Sequence, residues 1–286
     1  GLALRGGQQS VDAPIADAEL ELRTLTETGE FSFAPRVRAT YFSSAKELDS
    51  VDYFARLNWE RRGQRVFTRL RGDYSVQDVV NSELPTVGSG GGLGDPDLGD
   101  SGRVLVENRR QRYDVRPLMS IELSERRDLQ FEAGYADITF DDEIDEAQVN
   151  FNVADISAAL ATQLSERNSL TVRLRGARYE IGVRDPSDGY GAELQWDRQT
   201  SAESRSYFRI GGQKIDILTA NEFGILAEGS KTAPVGGVGV SFLLGRNELF
   251  LDLSRNVGGS SAGVLVARDQ LRVRWTRALT PRLSLL

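Results

Sequence analysis

The stretch Val51 to Glu60, V-D-Y-F-A-R-L-N-W-E, decides the fold. Val51, Tyr53, Ala55, Leu57 and Trp59 alternate with Asp52, Arg56, Asn58 and Glu60. A repeat of two puts successive side chains on opposite sides of an extended chain, so this is a strand with one apolar and one polar face. The same rhythm fills most of the sequence, and its apolar runs never lengthen into the continuous segments of a helix-covered parallel sheet. Such a sheet has two homes. In a soluble sandwich the polar face meets outside water; in an outer-membrane barrel it lines the lumen and the apolar face meets lipid.

Alternating segments run over Leu2 to Gly7, Glu19 to Thr26, Phe31 to Phe42, Val51 to Glu60, Val66 to Val76, Tyr113 to Leu123, Leu129 to Phe140 and Val149 to Leu164. They continue over Leu170 to Tyr179, Tyr190 to Gln199, Tyr207 to Ile215, Val235 to Leu244, Glu248 to Asn256 and Val264 to Leu279, with a further start at Leu283. The connectors alternate in kind. Short ones (Glu27–Glu30, Arg61–Arg65, Glu125–Asp128, Glu166–Ser169, Glu203–Ser206, Gly245–Asn247, Thr280–Arg282) take turns with longer, acidic, Gly/Pro-containing ones. The longer set is Ser10–Asp17, Ser43–Ser50, Asn81–Gly102, Asp141–Glu146, Arg184–Gly189, Thr219–Pro234 and Val257–Gly263. Greek-key sandwiches have no reason to keep this order, whereas an up-and-down barrel with tight periplasmic turns and longer extracellular loops does. A near repeat supports it: L-S-E-R-R-D-L from Leu123, L-S-E-R-N-S-L from Leu164 and L-T-P-R-L-S-L from Leu279 each mark a hairpin step. The expected architecture is a single antiparallel transmembrane β-barrel over residues 1–286, of 16 strands with 14 as the alternative.

Composition narrows the chemistry. No run of about 18 uncharged apolar residues exists, so no transmembrane helix is expected, whereas a barrel strand needs only about 9–11 alternating residues. Among 286 residues there is neither cysteine nor histidine. That removes disulfides, thiolate metal sites, Ser-His-Asp and Cys-His nucleophiles and His-containing zinc sites, leaving carboxylate-pair hydrolysis as the enzymatic alternative. An enzyme is therefore not expected, nor a cofactor or resident metal. The net charge is −7 and the basic residues are almost all arginines scattered at alternate strand positions, which disfavours nucleic acid.

The aromatic residues give an independent check, because membrane barrels carry girdles at both interfaces. Trp59, Trp196 and Trp275 lie on the apolar face of strands that run toward a short turn, while Tyr41, Tyr53, Tyr74, Tyr113 and Tyr190 lie toward the long connectors. The other face carries the lining candidates Arg36, Arg38, Arg56, Arg69, Arg71, Arg116, Arg173, Arg175, Glu193, Asp197, Arg272 and Arg274. A charge at mid-bilayer on the lipid side costs about 2–4 kcal/mol, so these groups face a wet or mutually paired interior. They are either wall-stiffening salt bridges or an arginine stripe for anionic solutes.

The longest insertion, residues 81–102, sets Asp95, Asp97 and Asp100 on a glycine-rich backbone. It suits a mobile external loop, a pore constriction or a calcium site of non-EF-hand spacing. Asp141, Asp142, Glu143, Asp145 and Glu146 form an acidic tip, either simply solvated or bridged by divalent cations to lipopolysaccharide phosphates. Pro35 and Pro117 interrupt strands, so each is expected at a bulge or strand end, and the alternation slips near Ala154 and Asp155, where a bulge is expected. Asp269 and Arg277 fall on the lipid face; Arg277 can snorkel, but Asp269 has to stand above the membrane.

On these features the chain resembles Gram-negative outer-membrane β-barrels of the porin-like type. The L-S-E-R turns, with R-L-R-G at Arg69–Gly72 and Arg173–Gly176, look most like barrels encoded beside exopolysaccharide or exosortase systems. The resemblance implies an outer-membrane channel passing small or anionic solutes or polymer, with membrane lipid and lipopolysaccharide around it and envelope proteins as partners. It transfers no catalytic residue. Such barrels usually close on a strand ending in an aromatic residue, and this one stops at Leu286, so a longer polypeptide is expected. Two rival readings stand beside the channel: a structural or anchor barrel of a secretion or polysaccharide-export complex, and a soluble all-β carbohydrate-binding or carboxylate-dependent hydrolytic protein.

Overall fold

The computed structural model describes residues 14–41, 49–78, 108–141, 149–182, 186–220, 226–245, 247–259, 265–280 and 283–285. They form one antiparallel sheet of 15 strands. In chain order these are β1 (Ile15–Glu19), β2 (Leu22–Leu25), β3 (Gly29–Thr40), β4 (Ser50–Arg62), β5 (Val66–Asp78), β6 (Arg109–Ser124), β7 (Arg127–Phe140) and β8 (Phe151–Ser165). They continue with β9 (Asn168–Ile181), β10 (Ser187–Ser201), β11 (Ser204–Ala220), β12 (Leu226–Leu244), β13 (Asn247–Gly259), β14 (Leu265–Thr280) and β15 (Leu283–Leu285). Each strand from β3 onward pairs with the next in sequence, as an up-and-down meander requires. β1 and β2 share one edge of β3, so the sheet has 14 strand positions, the alternative count. Among the described residues no ladder joins β15 back to β1 or β2.

The near repeat acquires a geometry. Ser124 pairs with Arg127, Ser165 with Asn168 and Ser201 with Ser204, and each pair closes a two-residue turn preceded by a one-residue register shift. The serine hydroxyl accepts from the backbone N–H two residues on: Arg126 at 3.4 Å, Arg167 at 3.4 Å and Glu203 at 3.2 Å. A hydroxyl that mimics a turn carbonyl is what serine offers at such a position. Thr280 repeats the register shift before the last turn.

The two prolines disturb ladders without bulging their own strands. Pro35 lies mid-β3 in unbroken register with β4, and the edge strand opposite it breaks at Leu20 and Glu21, separating β1 from β2. Pro117 leaves a gap in the β6–β7 ladder between Val115↔Tyr135 and Leu118↔Glu132, with no shift in register. In both cases the missing N–H removes a ladder bond rather than adding a residue.

The bulge expected at Ala154–Asp155 is absent, because β7–β8 register runs unbroken through Ala154↔Tyr135 and Asp155↔Gly134. The slip in the pattern is a change of face instead. Lower on β8, Ile156 and Leu160 point to the exposed apolar side. Higher up, Phe151 and Val153 turn to the other side and join Ile138, Phe140 and Tyr179 in a buried cluster. Asp137, Asn152, Arg178 and Glu180 then occupy the outer side, where Asn152 Nδ2 donates to Glu180 at 3.2 Å and Arg178 Nε at 3.3 Å. Apolar-out below and apolar-in above is what a barrel wall needs where it leaves lipid and enters water.

Two connector readings also change. β1 begins at Ile15, inside the expected Ser10–Asp17 connector, and β11 and β12 extend to Ala220 and from Leu226, inside Thr219–Pro234. Above the membrane both sides of a hairpin meet water, so Ser230, Lys231 and Thr232 pair without alternation to betray them. The segment Leu2–Gly7 and the 81–102 insertion lie outside the described residues.

Candidate functional site: a charge-lined wall

The burial of the sheet is inverted relative to a soluble protein. Trp59, Trp196 and Trp275 are 39%, 39% and 44% exposed, whereas Asp52 and Arg209 are 1% and 2% exposed. Leu174, Leu194, Phe208, Ile210, Leu253, Leu271 and Val273 share the tryptophans' exposure, so the side bearing them is one apolar surface. No second layer covers it among the described residues.

The pair register shows how this surface fits a bilayer. From Trp59 on β4, six cross-strand steps lead to Tyr190 on β10, six residues before Trp196. From Trp196, four steps lead to Leu271 on β14, four residues before Trp275. Both intervals give a displacement of one residue per strand. With about 3.4 Å along a strand and about 4.8 Å between strands, the three indoles share one height when the strands tilt by about 35°, the tilt of membrane barrels. Tyr53 precedes Trp59 by the six residues that separate Tyr190 from Trp196, so the tyrosines form a second level parallel to the first. Tyr113 belongs to that level and its ring lies 4.8 Å from that of Tyr74 directly opposite. Tyr41, Tyr53, Tyr113 and Tyr190 are exposed, and Tyr74 is half-buried against its partner. On β10 the outward residues between Asp188 and Arg198 are uncharged; those ten residue steps, tilted, span about 26–28 Å, against about 25 Å for the apolar band of an outer-membrane barrel.

Comparison with solved structures agrees. The ferric citrate transporter FecA in its unliganded form aligns with a TM-score of 0.52 at 12% identity, over 88% of this chain and 42% of that one. The chain has the fold of an outer-membrane β-barrel. The outer membrane is where this fold resides, and the charge-free outer band matches it. OmpT, an outer membrane protein of Vibrio cholerae, aligns with a TM-score of 0.49 at 11% identity, over 78% of this chain and 63% of that one. The Pseudomonas putida toluene transporter TodX gives 0.42 at 11% identity, over 93% and 86%. The chain thus spans less than two thirds of the length of FecA and of OmpT. No protein-family profile and no curated protein sequence matches it.

The opposite face collects the twelve lining candidates. Asp17 accepts from Arg36 and lies 3.4 Å from Arg38 Nε, while Glu19 lies 3.2 Å from Arg56 Nη2. Arg69 stands opposite Glu60, and Arg71 opposite Asn58 and Arg116. Arg116 Nε donates to Asp114 at 2.9 Å and its Nη1 lies 3.9 Å from Asp155. Arg173 stands opposite Glu193, to which Arg175 Nη1 and Arg209 Nη1 come within 3.8 and 3.5 Å. Asp197 accepts two bonds from Gln195 Nε2, at 3.0 and 3.1 Å, beside a depression at the short-turn end lined also by Asp128 and Arg205. Arg272 Nη2 donates to Gln270 at 2.8 Å, and Arg274 lies over Phe250 with Glu248 at 4.0 Å. Asp95, Asp97 and Asp100 lie outside the described residues. No group of three or more acidic residues suited to a metal occurs among the described residues.

Sequence reading missed Tyr207, Arg209 and Gln213, three alternate positions on β11. The doublets Gly211–Gly212 and Gly236–Gly237 hid their alternation, and those glycines are part of their placement. Tyr207 faces Gly239, which in turn faces Asp252, so the phenol reaches across β12 and donates to the Asp252 carboxylate. Arg209 crosses Gly237 in the same way and its Nη2 donates to Asn256 at 2.9 Å. Arg116 crosses Gly134 toward Asp155. At two of these crossings a side chain would stand in the way: a Cβ on Gly239 would lie 2.2 Å from Tyr207 Cε1, and one on Gly134 would lie 2.4 Å from Asp155 Oδ1. Glycine here opens a passage for a side chain to bridge two strands.

Of the two membrane-facing exceptions, Asp269 is met by Arg255 directly opposite, with bonds of 2.7 and 2.6 Å. Counted with the strand tilt, Asp269 stands at the tyrosine level and Arg255 one residue below it, at the edge of the apolar band. The Arg277 side chain lies outside the described residues.

Proposed function

We propose that this chain forms the wall of an outer-membrane channel whose charged lumen passes small hydrophilic solutes, anions in preference to cations. The observation that carries the reading is the burial of guanidinium and carboxylate groups on one face while large apolar side chains stay exposed on the other. That arrangement is stable only with lipid outside and water or paired charge inside. The anion preference rests on β9–β11, where Arg175 and Arg209 come to Glu193 and Arg173 stands between Glu193 and Asp197. Three guanidiniums outnumber these two carboxylates, and a local excess of positive charge in a confined pore raises the concentration of anions there. Arg173, Arg175, Arg209 and Glu193 are therefore the selectivity residues in this reading, and Arg36, Arg38, Arg56, Arg69, Arg71, Arg116, Asp197, Arg272 and Arg274 line the remainder of the lumen.

Purified folded protein in planar bilayers tests it through the reversal potential under a salt gradient. R173Q and R175Q together should shift the permeability ratio toward cations. Absence of any open-channel current, or an unchanged ratio, would overturn the reading. A second reading draws on the extent of cross-strand pairing, such as Arg116–Asp114 and Tyr207–Asp252: a stiff wall serving as the anchor of a secretion or polysaccharide-export complex. Its mark is a partner protein held at fixed stoichiometry through purification.

A further inference from the structure

The arginine cluster of β9–β11 holds more than an excess of charge. Glu193 and Arg209 are buried and Arg173 and Arg175 half-buried, yet several of their polar atoms are unmatched. Among the described residues, Nε of Arg173, Nε of Arg175 and both Nε and Nη1 of Arg209 have no hydrogen-bond acceptor. Glu193 Oε2 has no donor. Arg175 Nη1 and Arg209 Nη1 stand 3.8 and 3.5 Å from the Glu193 oxygens, near enough for charge attraction but beyond the roughly 2.7–3.2 Å of an N–H···O bond. The wall beside them is bare backbone. Gly191, two residues before Glu193 on the same face, stands opposite Arg175, and Gly211 stands opposite Glu193 itself. Unmatched donors and an unmatched acceptor thus lie together where no neighbouring side chain satisfies them, an arrangement that buried polar groups rarely keep without a partner.

We propose that this cluster binds a tetrahedral oxyanion that still carries a proton, inorganic phosphate, in preference to its fully ionised counterpart, sulfate. The inference deepens the channel reading and rests on it for the access of solute to this face. A guanidinium presents its N–H groups as a planar fork that fits two oxygens of such an anion, a geometry that a spherical chloride cannot use. Arg173, Arg175 and Arg209 supply the charge, and Glu193 makes the choice. At neutral pH phosphate keeps a P–O–H group, which donates to the carboxylate; sulfate has no hydrogen to offer and meets Glu193 only as a like charge. The carboxylate that reduces the positive field therefore gives that field a preference among anions.

The test is equilibrium dialysis of radiolabelled inorganic phosphate with the folded full chain in detergent at neutral pH, with sulfate and chloride as competitors. Phosphate should bind about tenfold or more tightly than sulfate, the worth of one charge-assisted hydrogen bond, with chloride weaker still. E193Q, which removes the like charge, should bring the two affinities together by strengthening sulfate, whereas R173Q/R175Q should weaken both anions. Heat-modifiable gel migration shows that each variant is folded. Sulfate that matches phosphate on the unsubstituted chain would overturn the proposal without recourse to any variant, and so would a folded E193Q protein that keeps the original ratio. Equal affinities beside an intact anion-selective current refute this inference alone, and phosphate preference without any open-channel current refutes the channel alone.

Discussion

Gly239→Ala is a small change with a large expected effect on this wall. Its new Cβ would stand 2.2 Å from Tyr207 Cε1 and 2.9 Å from Cδ1. Carbon atoms rest at about 3.5–4.0 Å, so the ring has to retreat by more than about 1 Å. The phenol then loses the Asp252 carboxylate, which costs about 1.5–3 kcal/mol, and overpacking at a buried site adds about 1–3 kcal/mol. We expect a loss of about 3–5 kcal/mol, measured as a shift in the urea midpoint in lipid vesicles with tryptophan fluorescence as the signal. The mechanism is separable from ordinary glycine effects by a double-mutant cycle. If the ring is what the methyl strikes, Gly239→Ala adds less than about 1 kcal/mol in a Tyr207→Ala background. Additive losses would show that Tyr207 and Gly239 act independently and refute the crossing as described.

Other consequences follow from the same geometry. Leu194→Arg, in the middle of the uncharged band, should cost about 2–4 kcal/mol of folding stability in vesicles, while Thr139→Arg, above the tyrosine level, should cost about 0–1 kcal/mol; equal costs would misplace the membrane boundary. Phe140→Ala removes a side chain from the buried upper cluster and should cost about 3–5 kcal/mol, against less than about 1 kcal/mol were that end of the wall loosely solvated. Ser165→Ala removes the hydroxyl that accepts from Arg167 N–H, and a loss of about 0.5–1.5 kcal/mol with faster protease nicking at that turn is expected; unchanged stability would make the repeated serine incidental. Brominated lipids placed at known depths should quench the tryptophans as one population, because the strand tilt brings Trp59, Trp196 and Trp275 level; three distinct depths would contradict the tilt.

Much of this protein is written in its alternation. The period of two, the alternation of short with long connectors and the distribution of tryptophan and tyrosine over one face determine an up-and-down sheet with a lipid side and a polar side, because those signals depend on each residue's neighbours along its own strand. The polar-face positions of Arg173, Arg175 and Glu193 follow from the same local rule. What only the tertiary structure decided depends on neighbours across strands. That Arg175 and Arg209 share Glu193, that Tyr207 passes over Gly239 to Asp252, and that the slip at Ala154–Asp155 is a change of face rather than a bulge are facts of register between strands far apart in sequence. Periodicity fixes which side a residue faces, but the height at which strands are laid against one another, and hence which charges meet, is set by hydrogen-bond register and tilt, and no single strand encodes either.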